Sequence, residues 1–395
     1  MLETIYVCRH GFRSNWIDKS IVTGPTKLER DPPLAVYGLE QAEALAKFLS
    51  SPSSYPYSPS DPSSYIQPAT KGSRPSSDLP TPELVFSSPF YRCVQTAAPT
   101  ARELGVEVRL EHGVQEWYSN VIDSTGLHPR PSSAASLQTH FPQTPLCQEY
   151  GSTVYASKRG ESLSELLARA ELFADVFINR IEAEYPDVKT IVIFAHAASV
   201  IALGRALTGN KSLHVTAGCA TTSLYRRKPT RTSNGSLTTT ELPVDSTNPV
   251  PKRLIPDGVA HEDQKGPVVE GGGMYECVWN GRADYLVNGV ERDWSFKDVV
   301  LNADGHVIMD RGDGRPHTAS DELPLGLPKE FTKYLSKPDP YTPIVMRASP
   351  AEVQRLAGHE NMEEKDDVER AVIGEVSKGR LERKSSGVAL LESRM

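Results

Sequence analysis

The chain has 395 residues, too many for one ordinary core, so one large domain with appended material is expected. Its 38% hydrophobic content suits a globular core, while 31 prolines and 28 glycines require substantial irregular stretches. A formal net charge of −7 argues against direct nucleic-acid binding through overall charge, and no apolar run is long enough for a membrane span.

The N-terminus lacks the basic start and small-residue cleavage site of a signal peptide. Five irregularly spaced cysteines form no paired framework, which points to reduced thiols in the nucleus or the cytoplasm. Thr4 to Cys8 reads as a short buried strand that ends at a glycine-containing turn. Gly38 to Leu49 follows as a helix, with Leu39, Ala42, Leu45, Ala46 and Leu49 on its inner face. Residues 51–82 are Ser, Pro and Tyr with few aliphatics, too little apolar surface to offset chain entropy, and are predicted to be a flexible insertion.

A second strand at Glu83 to Phe86 leads into a helix from Pro89 to Leu104, and Val106 to Leu110 makes a third strand. A long polar loop runs to about Gly160, with His112, His128 and His140 at spacings that suit no metal site; all three are expected to be solvated. Glu161 to Tyr185 is strongly helical in period, with Leu163, Leu166, Leu167, Ala170, Phe173, Ala174 and Phe177 inward. Thr190 to Ala195 is a nearly continuous apolar run, as in a central strand covered on both faces. A helix from Ala198 to Leu207 and an edge strand within Gly218 to Arg226 close a domain spanning 1–227. The alternation predicts an α/β three-layer sandwich with a mainly parallel central sheet.

Residues 228–273 read as a polar linker. Residues 274–309 form a small β-rich segment, two runs with turn signals at Asn280-Gly281 and Asn288-Gly289, whose Trp279, Tyr285 and Trp294 suit either a satellite core or a docking surface. Residues 310–395 are predicted to be a mostly flexible charged tail.

Ligands of such sheets sit beyond the carboxyl ends of the strands, where both Arg9-His10 and His196 fall. Phosphoryl transfer needs a nucleophile, cations around the phosphoryl oxygens and an acid for the leaving oxygen. His10 can supply the first without a metal or other cofactor, through a phosphohistidine. Arg9, Arg13 and Arg92 supply the cations, Gly11 lets backbone approach a bound anion, and His196 completes the set. Glu116 is the carboxylate best placed to transfer a proton, with Glu107 and Glu111 as competitors; burial beside Trp117 is expected to raise its pKa toward neutrality.

Arg9-His10-Gly11, Ser88 to Cys93, Glu116-Trp117 and Ala195 to Ala198 together resemble the histidine phosphatase superfamily, the phosphoglycerate mutase-like fold. The resemblance covers residues 1–209 apart from the insertion, and Asp31 to Leu34 with Gly38 fits it too. It implies His10 as nucleophile, Glu116 as proton donor, and Arg9, Arg92 and His196 around the phosphoryl group. Arg13 matches the phosphatase-type pattern, so phosphomonoester hydrolysis is expected ahead of mutase activity. The substrate would be a phosphorylated small molecule or a phosphoprotein.

Ile5 to Trp16, Glu116 to Tyr118 and His196 to Gly204 are also similar to the fungal subunits of transcription factor IIIC that carry a histidine-phosphatase domain. Val278 to Gly281 through Asp293 to Phe296 is similar to the start of the barrel that follows in those subunits. That resemblance implies other factor IIIC subunits as partners, and an alternative role as a scaffold subunit of the RNA polymerase III factor.

Overall fold

The computed structural model describes residues 1–55, 79–229, 273–299 and 307–336. Most of the predicted insertion, nearly all of the predicted linker and the tail from 337 onward lie outside the described residues.

Six strands form one sheet in the order β3-β2-β4-β1-β5-β6. β1 is Thr4–Arg9, β2 Leu84–Ser87, β3 Val108–Leu110 and β4 Thr190–Ala195, all parallel. β5, Thr222–Arg227, runs antiparallel to β1, and β6, Tyr275–Arg282, antiparallel to β5. β1 and β4 are buried along their whole lengths, as central strands must be. Successive β1 residues serve opposite faces. Tyr6 and Cys8 pack toward α1 (Val36–Ser50) and α2 (Tyr91–Leu104), while Ile5 and Val7 pack toward α4 (Leu163–Glu184) and α5 (Ala197–Thr208). The chain is the expected three-layer α/β sandwich; the short α3 is Ala134–Gln138.

The helices begin where local chemistry permits. Ser162 and Glu165 form a reciprocal capping box at the start of α4, and Gly105 and Gly209 take left-handed conformations that end α2 and α5. On α1, Ala42, Leu45, Ala46 and Leu49 are buried as the periodicity predicts, whereas Leu39 is 41% exposed and lines a surface cleft with Tyr91 and Pro99. Leu163 and Leu167 of α4 are only half-buried, packed with Trp117 against the cluster of Leu166, Ala170, Ala198 and Ala202.

Larger differences lie toward the C-terminus. β5 is not an edge strand, because β6 pairs along its free side. The segment read as a small β-rich unit therefore supplies the sixth strand of the main sheet, and its second predicted run, 283–288, is a series of turns. Two of its aromatics join the core: Trp279, 2% exposed, lies 6.3 Å from the Tyr6 ring and 6.4 Å from the Phe48 ring, and Tyr285 stacks on Phe48 at 4.6 Å. Residues 310–336, predicted to be flexible, are held on the domain. Leu327 is buried, Arg130 donates to the Pro324 carbonyl at 2.5 Å, and the Arg180 guanidinium covers the Phe331 ring at 3.9 Å. Isolated apolar residues among prolines and charges carry no periodicity from which such anchoring could be read.

Candidate active site

The register of β1 and β4 pairs Arg9 with Ala195, so His10 and His196 leave the sheet side by side. The His10 amide donates to the Ala195 carbonyl at 3.0 Å, and the two imidazole centroids stand 5.4 Å apart. His10 Nδ1 is 2.8 Å from the Gly11 carbonyl oxygen, which can only accept, so Nδ1 carries the proton and Nε2 keeps its lone pair. Burial, with Arg92, Arg9, His196 and Arg13 around it, holds the His10 pKa well below the ordinary imidazole value. A neutral, tautomerically fixed imidazole is the form a nucleophile requires. Gly11 serves a different end from the one expected: a Cβ there would lie 2.7 Å from the Gly38 carbonyl oxygen, so its bare backbone is needed for the close approach of α1.

Arg9 is buried, with Nη1 donating to the carbonyls of Ala217 and Arg292 at 2.5 Å each. Arg13 lies with its guanidinium carbon 4.4 Å from the Trp16 ring centroid; burial lowers its pKa to about 10, so it stays cationic at neutral pH. The Nε atoms of Arg9, Arg13 and Arg92 are all buried without a protein partner. Three orphaned guanidinium donors in one small region are costly unless an anion satisfies them.

Arg92 is fully buried, and its guanidinium is already engaged. It donates to Asp31 at 2.8 Å, to Glu116 at 2.8 Å and to His196 Nδ1 at 3.1 Å. It thus ties Glu116 and His196 together from behind the pocket. Asp31, 1% exposed, also caps α2 by accepting from the Tyr91 amide at 2.7 Å. His196 is buried, with Nε2 2.8 Å from Ser88 Oγ and Nδ1 3.4 Å from Glu116. Burial is the main cause that lowers its pKa to about 4, so it is neutral at physiological pH.

Glu116 reaches the pocket with its side chain 20% exposed. Burial does act to raise its pKa, as the sequence suggests, but His196, Arg92 and Arg13 outweigh it and hold the carboxyl well below its ordinary range. Arg92, paired with it directly at 2.8 Å, favours the ionised carboxyl. The direction is therefore the reverse of the upward shift expected from the sequence. The competing Glu111 is a structural cap, fully buried and accepting from the amides of Gly113 and Thr153 and from the Tyr150 hydroxyl.

These groups surround a cavity of about 400 Å³. Arg9, His10, Arg13, Asn15 and Glu116 line it, whereas Arg92 and His196 support its wall. Ala197 and Ala198 open α5 at the same cavity, so the free N–H groups and positive end of that helix face it as well. Trp117, Tyr118 and Trp294 form an aromatic side. The sequence reading missed Asn15, whose Oδ1 is buried without a partner, as well as Asp31 and Trp294. A polar residue five positions after His10 was the available signal for Asn15; Trp294 had none, being brought in by β6. His128, expected in solvent, is 2% exposed and stacks on Tyr118 at 4.6 Å. No helix among the described residues is long and apolar enough to cross a membrane.

Residues 76–236 match the family model described as Histidine phosphatase superfamily (branch 1). The chain is 31% identical over 307 residues to the transcription factor tau 55 kDa subunit of Saccharomyces cerevisiae, covering 77% of this chain and 60% of that protein. It thus spans about three-fifths of the length of this curated relative. Among solved structures, the ecdysone phosphate phosphatase from Bombix mori, in complex with tungstate, aligns with a TM-score of 0.40 at 16% identity, over 64% of this chain and 98% of its own. A mycobacterial glucosyl-3-phosphoglycerate phosphatase with VO3 aligns with a TM-score of 0.34 at 17% identity, over 62% and 99%.

Proposed function

We propose that this chain, a member of the histidine phosphatase superfamily, is a phosphomonoester hydrolase that works through a phosphohistidine on His10. The observation that carries the reading is a neutral His10 with a free Nε2, lining a cavity with Arg9, Arg13 and a carboxylate. His10 Nε2 attacks phosphorus, and the bond to the ester oxygen breaks as that oxygen takes a proton from Glu116, which has received it from the monoanionic ester. Water then attacks the phosphohistidine and passes a proton to Glu116; inorganic phosphate leaves, His10 is freed, and the proton departs with the product or to solvent, which returns Glu116 to its ionised form. Arg9, Arg13, the α5 N-terminus and, from behind, Arg92 and His196 stabilise the charge on the transferring group. No step calls for a metal.

The substrate is a phosphorylated small molecule or a phosphoprotein, and hydrolysis is favoured over mutase activity because Arg13 follows the nucleophile at the phosphatase-type position. The test is a panel of p-nitrophenyl phosphate, phosphotyrosine and sugar phosphates. Turnover should vanish in His10→Ala and a phosphoryl group should be trapped on His10 by acid-free quenching. Turnover that His10→Ala leaves unchanged overturns the reading.

Identity to the yeast tau subunit favours a second reading, in which the chain is a nuclear subunit of a factor IIIC complex and the domain serves as its scaffold. The two readings are compatible. Affinity purification from nuclear extract should recover other subunits of that complex, and their absence would count against it.

A further inference from the structure

The turn Glu291 to Trp294 lies beyond the residues matched by the family model, yet it is bonded into the nucleophile loop from three directions. The Arg292 carbonyl accepts from Arg9 Nη1, and the Arg292 backbone holds a left-handed φ of 52° to present it. Asp293 Oδ1 accepts from the Ala217 amide at 2.7 Å and the Trp294 amide at 3.0 Å, which fixes the other carbonyl that Arg9 Nη1 uses, that of Ala217. The Glu291 carbonyl accepts from the Cys219 amide at 2.8 Å. Its carboxylate accepts from Tyr37 and from Gln41, whose own Oε1 receives the Phe12 amide at 2.9 Å. Trp294 then lines the cavity itself.

A guanidinium is planar, so clamping one nitrogen between two carbonyls sets the direction of the remaining donors. With Nη1 occupied, the edge carrying Nε is the part of Arg9 left for an anion, and that Nε has no protein partner. We infer that the Glu291–Trp294 turn is a positioning element of the phosphoryl site, with Asp293 as its anchor: it aims Arg9 at the transferring phosphoryl group. Asp293 touches no reacting atom; it acts through Ala217 and Arg292. The inference rests on the reading of this cavity as a phosphoryl site, and its test does not depend on turnover.

Inorganic phosphate is titrated calorimetrically into the full-length protein and into Asp293→Ala and Asp293→Asn. Loss of one oriented charge-assisted contact weakens phosphate binding about tenfold in Asp293→Ala. Asp293→Asn, which keeps the accepting oxygen, recovers to within about threefold. The dissociation constant is independent of the fraction of protein folded, so partial misfolding of a variant does not imitate the effect. Equal phosphate affinity in wild type and Asp293→Ala overturns the inference, as does an Asn variant as weak as Ala. If phosphate binds and Asp293→Ala weakens it while His10→Ala leaves turnover intact, the hydrolase reading fails and this inference stands. A wild type that binds no phosphate at millimolar concentration overturns both.

Discussion

The Arg92 guanidinium donates to the Glu116 carboxylate at 2.8 Å and, with His196 and Arg13, holds its pKa well below the ordinary range against the effect of burial. The proposed mechanism therefore starts from neutral His10 and anionic Glu116, and the proton for the leaving group must enter with the substrate. A phosphate monoester carries that proton as its monoanion, below a second pKa of about 6. Once bound, the phosphoryl group takes up the arginine charge and the proton passes to Glu116. The expected kcat/KM falls above about pH 6 with the substrate's second ionisation, and its acid limb lies well below the ordinary imidazole pKa. Profiles for an aryl and an alkyl ester, whose second pKa values differ, should have midpoints that move with the ester. A midpoint common to both and lost in Glu116→Gln would place the proton on the free enzyme instead. Glu116→Gln should lower kcat about 100- to 10,000-fold with little change in phosphate binding.

Asp31 gives a second expectation. It is one of two carboxylates neutralising the fully buried Arg92, and it caps α2 as well. Asp31→Ala leaves a buried guanidinium with half its countercharge and should destabilise the domain by about 3–5 kcal/mol. Asp31→Asn keeps an acceptor for the Tyr91 amide and should cost less. Urea denaturation of the two variants checks the order, and equal losses would mean that the charge rather than the cap matters.

How much of this was legible in the sequence follows from what each residue needs. His10 and His196 directly follow β1 and β4, Arg92 lies in the first turn of α2 and Glu116 in the loop beyond β3, so short motifs beside strong β and helical patterns located them in the fold. What the motifs could not say is which groups face the cavity. Arg92 and His196 are drawn behind the wall by Asp31 and Ser88, partners remote in sequence. The direction of the Glu116 shift was misread for the same reason: burial beside Trp117 is a local inference, while the opposing arginines arrive from β1 and α2. β6 was read as a separate unit because the chain before it is long and polar, and strand pairing across such a gap leaves no periodic trace.

Joining β6 to the sheet has a measurable consequence. Trp279 sits in the α1 face of the core, and Tyr275 donates to the Leu2 carbonyl at 2.9 Å across the opposite face. Trp279→Ala should destabilise the whole domain by about 3–5 kcal/mol, in a single transition with the active-site region. A chain ending at residue 229 would expose the long edge of β5, and should be insoluble or unfolded. A soluble, cooperatively melting fragment 1–229 would show that β6 is an accessory.

Stability should also respond to pH through three histidines that folding holds neutral, His10 and His196 buried and His112 half-buried. His10 is shifted well down by burial and its cationic neighbours, His196 to about 4 chiefly by burial, and His112 to about 3 by burial with Arg130 nearby. The sign follows from linkage. Each pKa is lower folded than unfolded, so the unfolded chain binds the extra proton as the pH drops through about 6.5. The stability these groups contribute is complete above that value and is lost progressively toward pH 4. The slope is at most about 1.4 kcal/mol per pH unit for each histidine. The raised carboxyls of Asp31 and Glu111, shifted by burial, oppose this at the acid end. The melting temperature should therefore be flat above pH 7 and fall between pH 6.5 and pH 4, across the same range in which monoanionic substrate favours turnover. His112 lies outside the cavity, with Nδ1 2.8 Å from Ser152 Oγ, so it separates the two effects. His112→Gln should make the melting curve less steep in pH while leaving the kcat/KM profile in place; an unchanged slope would show that His112 titrates normally in the folded chain.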